Sequence, residues 1–172
     1  MFRNRHEDHA GANVYQMHQQ IFAIGDDFWI ENGTGQRVFK VDGKALRIRK
    51  TLVLEGADGR ELYTIKEKLV TVRDVMEIKR GDDRVATVKK ALISPLRERY
   101  DVHLDAGGEW KVQGNIVDHQ YEIEGPNGKI AEVGKKWFRV RDTYGVQVEA
   151  GNDDALVLAV AIVVDQMAHP AR

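Results

Sequence analysis

Residues 153–166 read Asp-Asp-Ala-Leu-Val-Leu-Ala-Val-Ala-Ile-Val-Val-Asp-Gln, and the ten residues at 155–164 are all apolar. Asn152 or Asp153 can cap a helix that begins here, because acids in a first turn suit the positive end of the helix dipole. A helix that is apolar on every side must be enclosed by protein or by lipid. Ten residues rise only about 15 Å in a helix, half of a hydrocarbon core that is roughly 30 Å thick. The stretch therefore predicts a helix enclosed within the protein.

Turn sequences divide the rest of the chain into short segments in which apolar and polar residues alternate. They occur at residues 32–35, 58–59, 81–83, 107–108 and 127–128. Asn-Gly and Asp-Gly supply the positive φ values that tight hairpin turns need. The segments between the turns predict about twelve antiparallel strands, and Pro95 marks a crossover because proline cannot occupy a central ladder.

The enclosed helix decides how these strands are arranged. A sandwich core is only about 10 Å thick and has no room for a helix, whereas the interior of a barrel of about twelve strands is too wide for side chains alone to fill. We predict a mainly β fold, a twelve-stranded antiparallel β-barrel that encloses a central hydrophobic C-terminal α-helix. Residues 1–14 are predicted to be a flexible tail, residues 15–167 a single barrel domain and residues 168–172 a short C-terminal tail.

Composition limits the classes of function. The chain has 172 residues and a formal net charge of −1, which favours one domain and gives no general attraction to nucleic acid. It has no cysteine, which excludes disulfides, thiolate nucleophiles and thiolate metal sites. The polar N-terminus lacks the apolar core of a signal peptide, and no apolar run is long enough for a transmembrane span. We expect a cytoplasmic protein, with peripheral attachment to a membrane as the alternative.

Several short motifs, taken in order, resemble those of LURP-one-related proteins. They stand at residues 15–20, 26–28, 38–43, 114–115, 121–123, 131–133, 136–138, 142–146 and 155–165. The resemblance spans about residues 15 to 166 and implies the fold of the tubby C-terminal domain and of phospholipid scramblases, a twelve-stranded barrel around a hydrophobic helix. It implies no established enzyme activity. Relatives of tubby bind phosphoinositide head groups and have been linked to transcription.

The sequence contains no recognisable catalytic motif. Its one serine, Ser94, has no nucleophile elbow around it, and the six histidines lack the close pairings of metal-binding helices and fingers. His103 is expected on a solvated strand face and His119 in a turn. We expect Asp165, which ends the apolar run, to meet backbone N–H groups or a basic residue at the barrel rim. The sequence therefore predicts no catalytic residue, no metal site and no cofactor.

Two basic clusters are the candidate ligand sites. The first, for an anionic ligand, comprises Lys44, Arg47, Arg49 and Lys50; the second comprises Lys135, Lys136, Arg139 and Arg141. Arg47 and Arg49 share one strand face, suit bidentate phosphate contacts, and resemble the Lys-x-Arg pair with which tubby holds phosphoinositide phosphates. Outward cations also keep a barrel soluble and discourage edge pairing, so both interpretations stay open.

The sequence thus favours a non-enzymatic binding or scaffold module with an unidentified protein partner. The alternative is binding of a phosphoinositide, another anionic phospholipid or a phosphorylated ligand through the basic strand face, for membrane tethering or a scramblase-like action. Nucleic-acid binding in a transcription-related role is less favoured, because the net charge is near zero and no recognition helix is evident.

Overall fold

The computed structural model describes residues 11–18, 27–43, 51–68, 75–91, 98–138 and 141–169. These residues form twelve strands and one long helix. The helix is α1 (Asp154–Ala168), and the strands are β1 (Asn13–His18), β2 (Phe28–Asn32), β3 (Arg37–Asp42), β4 (Thr51–Gly56), β5 (Glu61–Lys68), β6 (Val75–Arg80), β7 (Asp83–Ala91), β8 (Glu98–Leu104), β9 (Glu109–Asn115), β10 (Gln120–Gly125), β11 (Gly128–Gly134) and β12 (Thr143–Val148).

Every strand pairs antiparallel with its neighbour in sequence, and the last strand returns to the first. β1 and β12 pair from Asn13 opposite Val148 to His18 opposite Thr143, which closes the sheet. A closed sheet has no exposed edge and therefore no template for pairing with another chain. The predicted twelve-stranded antiparallel barrel is confirmed.

Hairpin turns stand where the turn sequences predicted them. Gly35 and Gly59 both adopt a φ of +80°, in the left-handed region that other residues rarely enter. The Asn32 side-chain oxygen accepts hydrogen bonds from the backbone N–H groups of Thr34 and Gln36, at 3.1 and 3.0 Å. The side chain thus satisfies turn donors that the strand ladder cannot reach.

The barrel interior is filled by α1. Eight consecutive helix residues, 157–164, are 0% exposed and pack against the inward side chains of the strands. Burying one valine, leucine or isoleucine stabilises a fold by about 1.5–3 kcal/mol, so the six such side chains in this run contribute on the order of 10 kcal/mol. A whole domain has a net stability of about 5–15 kcal/mol. The barrel therefore depends on the helix.

Polar side chains from the barrel wall hold the start of α1. Asp153 caps the helix, as predicted, by accepting a 3.1 Å hydrogen bond from the N–H of Leu156. The Tyr63 hydroxyl of β5 donates to the other oxygen of Asp153 at 2.6 Å, and Arg80 of β6 contacts that oxygen at 3.2 Å. The carboxylate at the mouth of the barrel thereby connects the helix to two strands.

A second acid at the same end is held by β1. The Tyr15 hydroxyl donates a short hydrogen bond to Asp154, and Asn13 donates to the same carboxylate oxygen at 2.9 Å. Burial, followed by the hydrogen bond to Asp154, raises the pKa of Tyr15. Burial and the hydrogen bond to Asp153 likewise raise the pKa of Tyr63, to about 12.

Parts of the sequence-based description lie outside the described residues. These are the crossover at Pro95, residues 1–10 of the predicted N-terminal tail and residues 170–172 of the C-terminal tail. Strand β1 begins at Asn13, and α1 ends at Ala168. Within the described ranges, no helix is both long enough and apolar enough to span a membrane.

Tyr63→Phe tests the hydrogen bond at the helix start. Burial, followed by the hydrogen bond to Asp153, raises the folded-state pKa of Tyr63 from the ordinary value of 10 to about 12. The neutral hydroxyl therefore contributes fully below pH 10, and its contribution is lost as pH rises toward about 12. At pH 8 we expect Tyr63→Phe to lower the free energy of unfolding by about 1 kcal/mol. Urea unfolding across this range should show the difference between wild type and variant shrinking with rising pH, and a constant difference would contradict the assignment.

Candidate functional site

The first predicted site cannot be placed on the barrel. Lys44, Arg47, Arg49 and Lys50 all lie between the described ranges 27–43 and 51–68. Whether Arg47 and Arg49 share a strand face therefore stays a prediction.

The second basic cluster is partly described. Lys135 and Lys136 are exposed in the segment that follows β11, Arg139 lies outside the described residues, and the Arg141 side chain is 95% exposed. Lys136 contacts Glu132 at 2.7 Å and also lies 4.8 Å from the centre of the Trp137 ring. The cluster is therefore not a free basic surface, because an acid pairs with one of its lysines.

Trp137 holds this segment against the barrel wall. A side chain on Gly145 of β12 would place its Cβ 2.6 Å from the Trp137 ring and 3.2 Å from the Phe138 ring. Only glycine leaves room for this contact, which explains the glycine in the motif at residues 142–146. The packed aromatic rings fix the position of Lys135 and Lys136 beside β11.

Lys135 and Lys136 line a cleft of about 420 Å³ on the wall formed by β9, β10 and β11. Glu122 of β10 stands opposite Gln113 of β9 on one side and Glu132 of β11 on the other. These three residues line the cleft together with Gln120. We call this feature the β9–β11 cleft. Two carboxylates and two ammonium groups give it both signs of charge.

The carboxylates of the β9–β11 cleft are paired with lysines. Lys129 lies 3.7 Å from Glu122 and 3.5 Å from Glu132, which stand directly opposite each other on β10 and β11. Burial alone would raise the pKa of Glu132, but hydrogen bonds from Lys136 and Lys129 and their charges outweigh it and lower that pKa. The lysines thus offset a repulsion between two opposed carboxylates.

A second polar group lies at the far end of α1, and it is buried. Asp165 is 2% exposed and His119 is 4% exposed, and His119 Nε2 lies 2.5 Å from Asp165 Oδ1. His169 caps the helix, with Nδ1 at 3.3 Å from the same carboxylate oxygen. We call these three residues the His–Asp cluster. One ligand atom from each lies within 4.8 Å of the others.

The turn between β9 and β10 brings His119 to the helix. His119 adopts a φ of +53°, its N–H donates to the Ile116 carbonyl at 3.1 Å, and its ring stacks on Tyr144 with centroids 4.3 Å apart. On its other side the ring stacks on His169 at 5.2 Å and an interplanar angle of 8°. The turn conformation and the two stacked rings together aim Nε2 at Asp165.

Some polar atoms around Asp165 have no hydrogen-bond partner among the described residues. They are Asp165 Oδ2, His119 Nδ1 and the hydroxyls of Tyr121 and Tyr144. Burial, followed by the negative charge of Asp165, raises the pKa of both tyrosines well above the ordinary value. The cluster thus lies among buried polar atoms whose hydrogen-bonding capacity no described residue uses.

Sequence reasoning found only parts of this cluster. His119 lies in the predicted turn, but it is buried, and Asp165 meets two histidine side chains at the barrel end. The pairing of His119 with Asp165 joins residues 46 apart, which no local pattern reveals. The spacing of Asp165 and His169, four residues apart on one helix face, is a signal that could have pointed to the site. His103 lies on a solvated face, 61% exposed.

Comparison with known proteins identifies relatives over nearly the whole chain. The model of the family described as LURP-one-related matches residues 13–165. The chain is 27% identical over 154 residues to the Bacillus subtilis (strain 168) protein named "Uncharacterized protein YxjI", covering 89% of this chain and 92% of that protein. It is similar in fold to the X-ray structure of the Arabidopsis thaliana protein AT5G01750, with a TM-score of 0.70, 17% identity and coverage of 92% and 93% of the two chains.

A double-mutant cycle tests the buried contact between His119 and Asp165. His119→Asn keeps a residue that tolerates a positive φ but cannot reach Asp165, so we expect it to lower the free energy of unfolding by about 3–5 kcal/mol by leaving a buried carboxylate poorly paired. In an Asp165→Leu background the same change should cost about 1 kcal/mol. Urea unfolding measures both values, and equal costs in the two backgrounds would disprove the coupling.

Proposed function

The chain belongs to the LURP-one-related family, and we propose that it is a non-enzymatic binding module that engages its partner on the outer wall of the barrel. One observation carries the proposal: residues 157–164 of α1 fill the barrel interior and are 0% exposed. A barrel that holds its own helix has given up the internal space in which other barrels bind small ligands. Its outer wall and rims remain for recognition.

The arrangement of titratable groups supports a role without catalysis. A general acid or base must reach a substrate directly or through one water molecule. Among the described residues, the closest histidine–carboxylate contact is that of His119 with Asp165, and both side chains are buried. The two carboxylates of the β9–β11 cleft are engaged by lysines. These contacts favour recognition over proton transfer.

The β9–β11 cleft suits a segment of a partner protein. Glu122, Glu132, Lys135 and Lys136 present both charges, and Gln113 and Gln120 add amide donors and acceptors. A peptide offers the same mixture of charges and backbone groups, whereas an anionic membrane would meet two carboxylates here. Complementary charge sets orientation and discriminates against wrong partners. The module would thus act as a scaffold.

Photo-crosslinking tests this surface. We expect a photoreactive amino acid at Gln113, in the cleft, to capture one discrete protein partner in cells. The same group at Lys66, an exposed position on β5, is the matched control. Lys135→Glu with Lys136→Glu should abolish the Gln113 product, because the partner's acidic groups would then be repelled. Equal products from both positions, or a product that survives the charge reversal, would contradict the proposal.

Anionic lipid or phosphorylated-ligand binding through the first basic cluster is the second candidate function. The observation that favours it is local charge: Lys44, Arg47, Arg49 and Lys50 fall within seven residues that contain no acid. The second cluster, by contrast, has Glu122 and Glu132 beside it. A run of cations that no acid interrupts attracts anionic head groups, with about 1 kcal/mol for each lysine or arginine near the surface.

Vesicle sedimentation distinguishes the two clusters. If the second candidate function holds, binding to phosphatidylserine or phosphoinositide vesicles should fall about tenfold or more for Arg47→Ala with Arg49→Ala and should weaken with salt. Lys135→Ala with Lys136→Ala removes the same charge and should change little. Vesicle binding that changes neither with salt nor with the arginine substitutions would reject lipid recognition. Titration with a phosphopeptide then tests a soluble phosphorylated ligand.

A further inference from the structure

The His–Asp cluster brings together the donor set of a zinc site. His119 Nε2 and His169 Nδ1 lie 2.5 and 3.3 Å from Asp165 Oδ1, and one ligand atom from each of the three residues lies within 4.8 Å of the others. Two imidazole nitrogens and one carboxylate oxygen are ligands that zinc takes in proteins, commonly with a fourth position left for water. The His119 and Asp165 side chains are 5% and 1% exposed, whereas that of His169 is 26% exposed. The site is therefore enclosed on the barrel side and open at the rim.

The hydrogen-bond partners of His169 leave a place for a cation. His169 Nε2 lies 3.2 Å from the Val117 carbonyl oxygen, which can only accept, so Nε2 carries a hydrogen. Nδ1 faces Asp165, whose carboxylate Oδ1 and backbone oxygen are both 3.3 Å away. A ring nitrogen that faces only acceptors needs a positive species between them, which can be a proton or a metal ion.

The distance indicates which cation suits this place. A proton shared between an imidazolium and a carboxylate holds nitrogen and oxygen about 2.7–2.9 Å apart. Two ligands on a tetrahedral zinc with bonds of about 2.0–2.1 Å are separated by about 3.3 Å, and His169 Nδ1 and Asp165 Oδ1 are 3.3 Å apart. We propose that His119, Asp165 and His169 bind one divalent transition-metal ion of the zinc type at the C-terminal end of α1.

Binding requires three local adjustments. His119 Nε2 must move from 2.5 Å to about 3.3 Å from the carboxylate oxygen. It must also pass its hydrogen to Nδ1, which has no partner to lose among the described residues. The two rings are stacked at 8°, and a metal lies in the plane of each ring that binds it. His169, at the end of the helix, must therefore turn about χ2, a soft torsion.

A bound ion would fasten the end of α1 to the barrel wall. His119 belongs to the turn between β9 and β10, whereas Asp165 and His169 belong to the end of the helix. The three residues can bind one ion together only in the folded chain, so the binding free energy of the ion adds to the stability of the fold. Metal availability would then set how firmly the helix is held.

Zinc titration of chelator-treated protein tests the proposal. Calorimetry should show one Zn²⁺ per chain with a micromolar or tighter Kd, and free Zn²⁺ at about 100 times Kd should raise Tm by roughly 5–10 °C. His169→Gln should weaken binding at least tenfold. His103→Gln removes an exposed histidine that also lies near a carboxylate, Glu109 at 4.0 Å, and should leave binding unchanged.

The visible absorption spectrum of bound Co²⁺ tests the proposal independently, on the wild-type chain. Tetrahedral Co²⁺ absorbs visible light strongly and octahedral aquo Co²⁺ only weakly, so intense bands that Zn²⁺ displaces are expected from the wild type. This spectrum decides the matter even if His169→Gln fails to fold. Absence of binding, a weak octahedral spectrum, or equal affinity of wild type and a folded His169→Gln variant would each overturn the proposal.

Discussion

Enclosure of a helix that is apolar on every side is the constraint on which this structure depends. Residues 157–164 have no exposed surface, so the helix cannot exist in water outside the barrel without exposing all of it. The twelve strands in turn surround a space that their own side chains cannot fill. The polar contacts lie where the apolar run stops, with Tyr63 and Tyr15 at the start of the helix and His119 at its end.

In the proposed function, a partner binds on the outside of the barrel, because the helix fills the inside. Helix residues 157–164 pack against the inner face of the barrel, and Tyr121, Tyr144 and Asp165 are buried near the end of the helix. The β9–β11 cleft is held in shape by rigid elements: three paired strands and the Trp137 ring against Gly145. Because these elements are rigid, the surface of the cleft loses little conformational freedom when a partner binds, and the entropic cost of association is lower.

The fold was predictable from the sequence because its signals are local. Asn-Gly and Asp-Gly turns define the hairpins, and ten consecutive apolar residues at 155–164 define the helix. The sites were less accessible, because they depend on pairing across the barrel. Glu122 and Glu132 become neighbours only through the register of β10 with β11. His119 reaches Asp165 only because its backbone adopts a positive φ. A histidine in a sequence does not predict that conformation.

Native-state hydrogen exchange tests most directly whether helix and barrel form one unit. Amides of residues 157–164 and of the central positions of β4 to β7 should exchange only through global unfolding, with equal opening free energies that fall together as denaturant is added. The account would be contradicted if helix amides exchanged through an opening of lower free energy while the strand amides stayed protected. That result would show that the barrel stays folded without its helix.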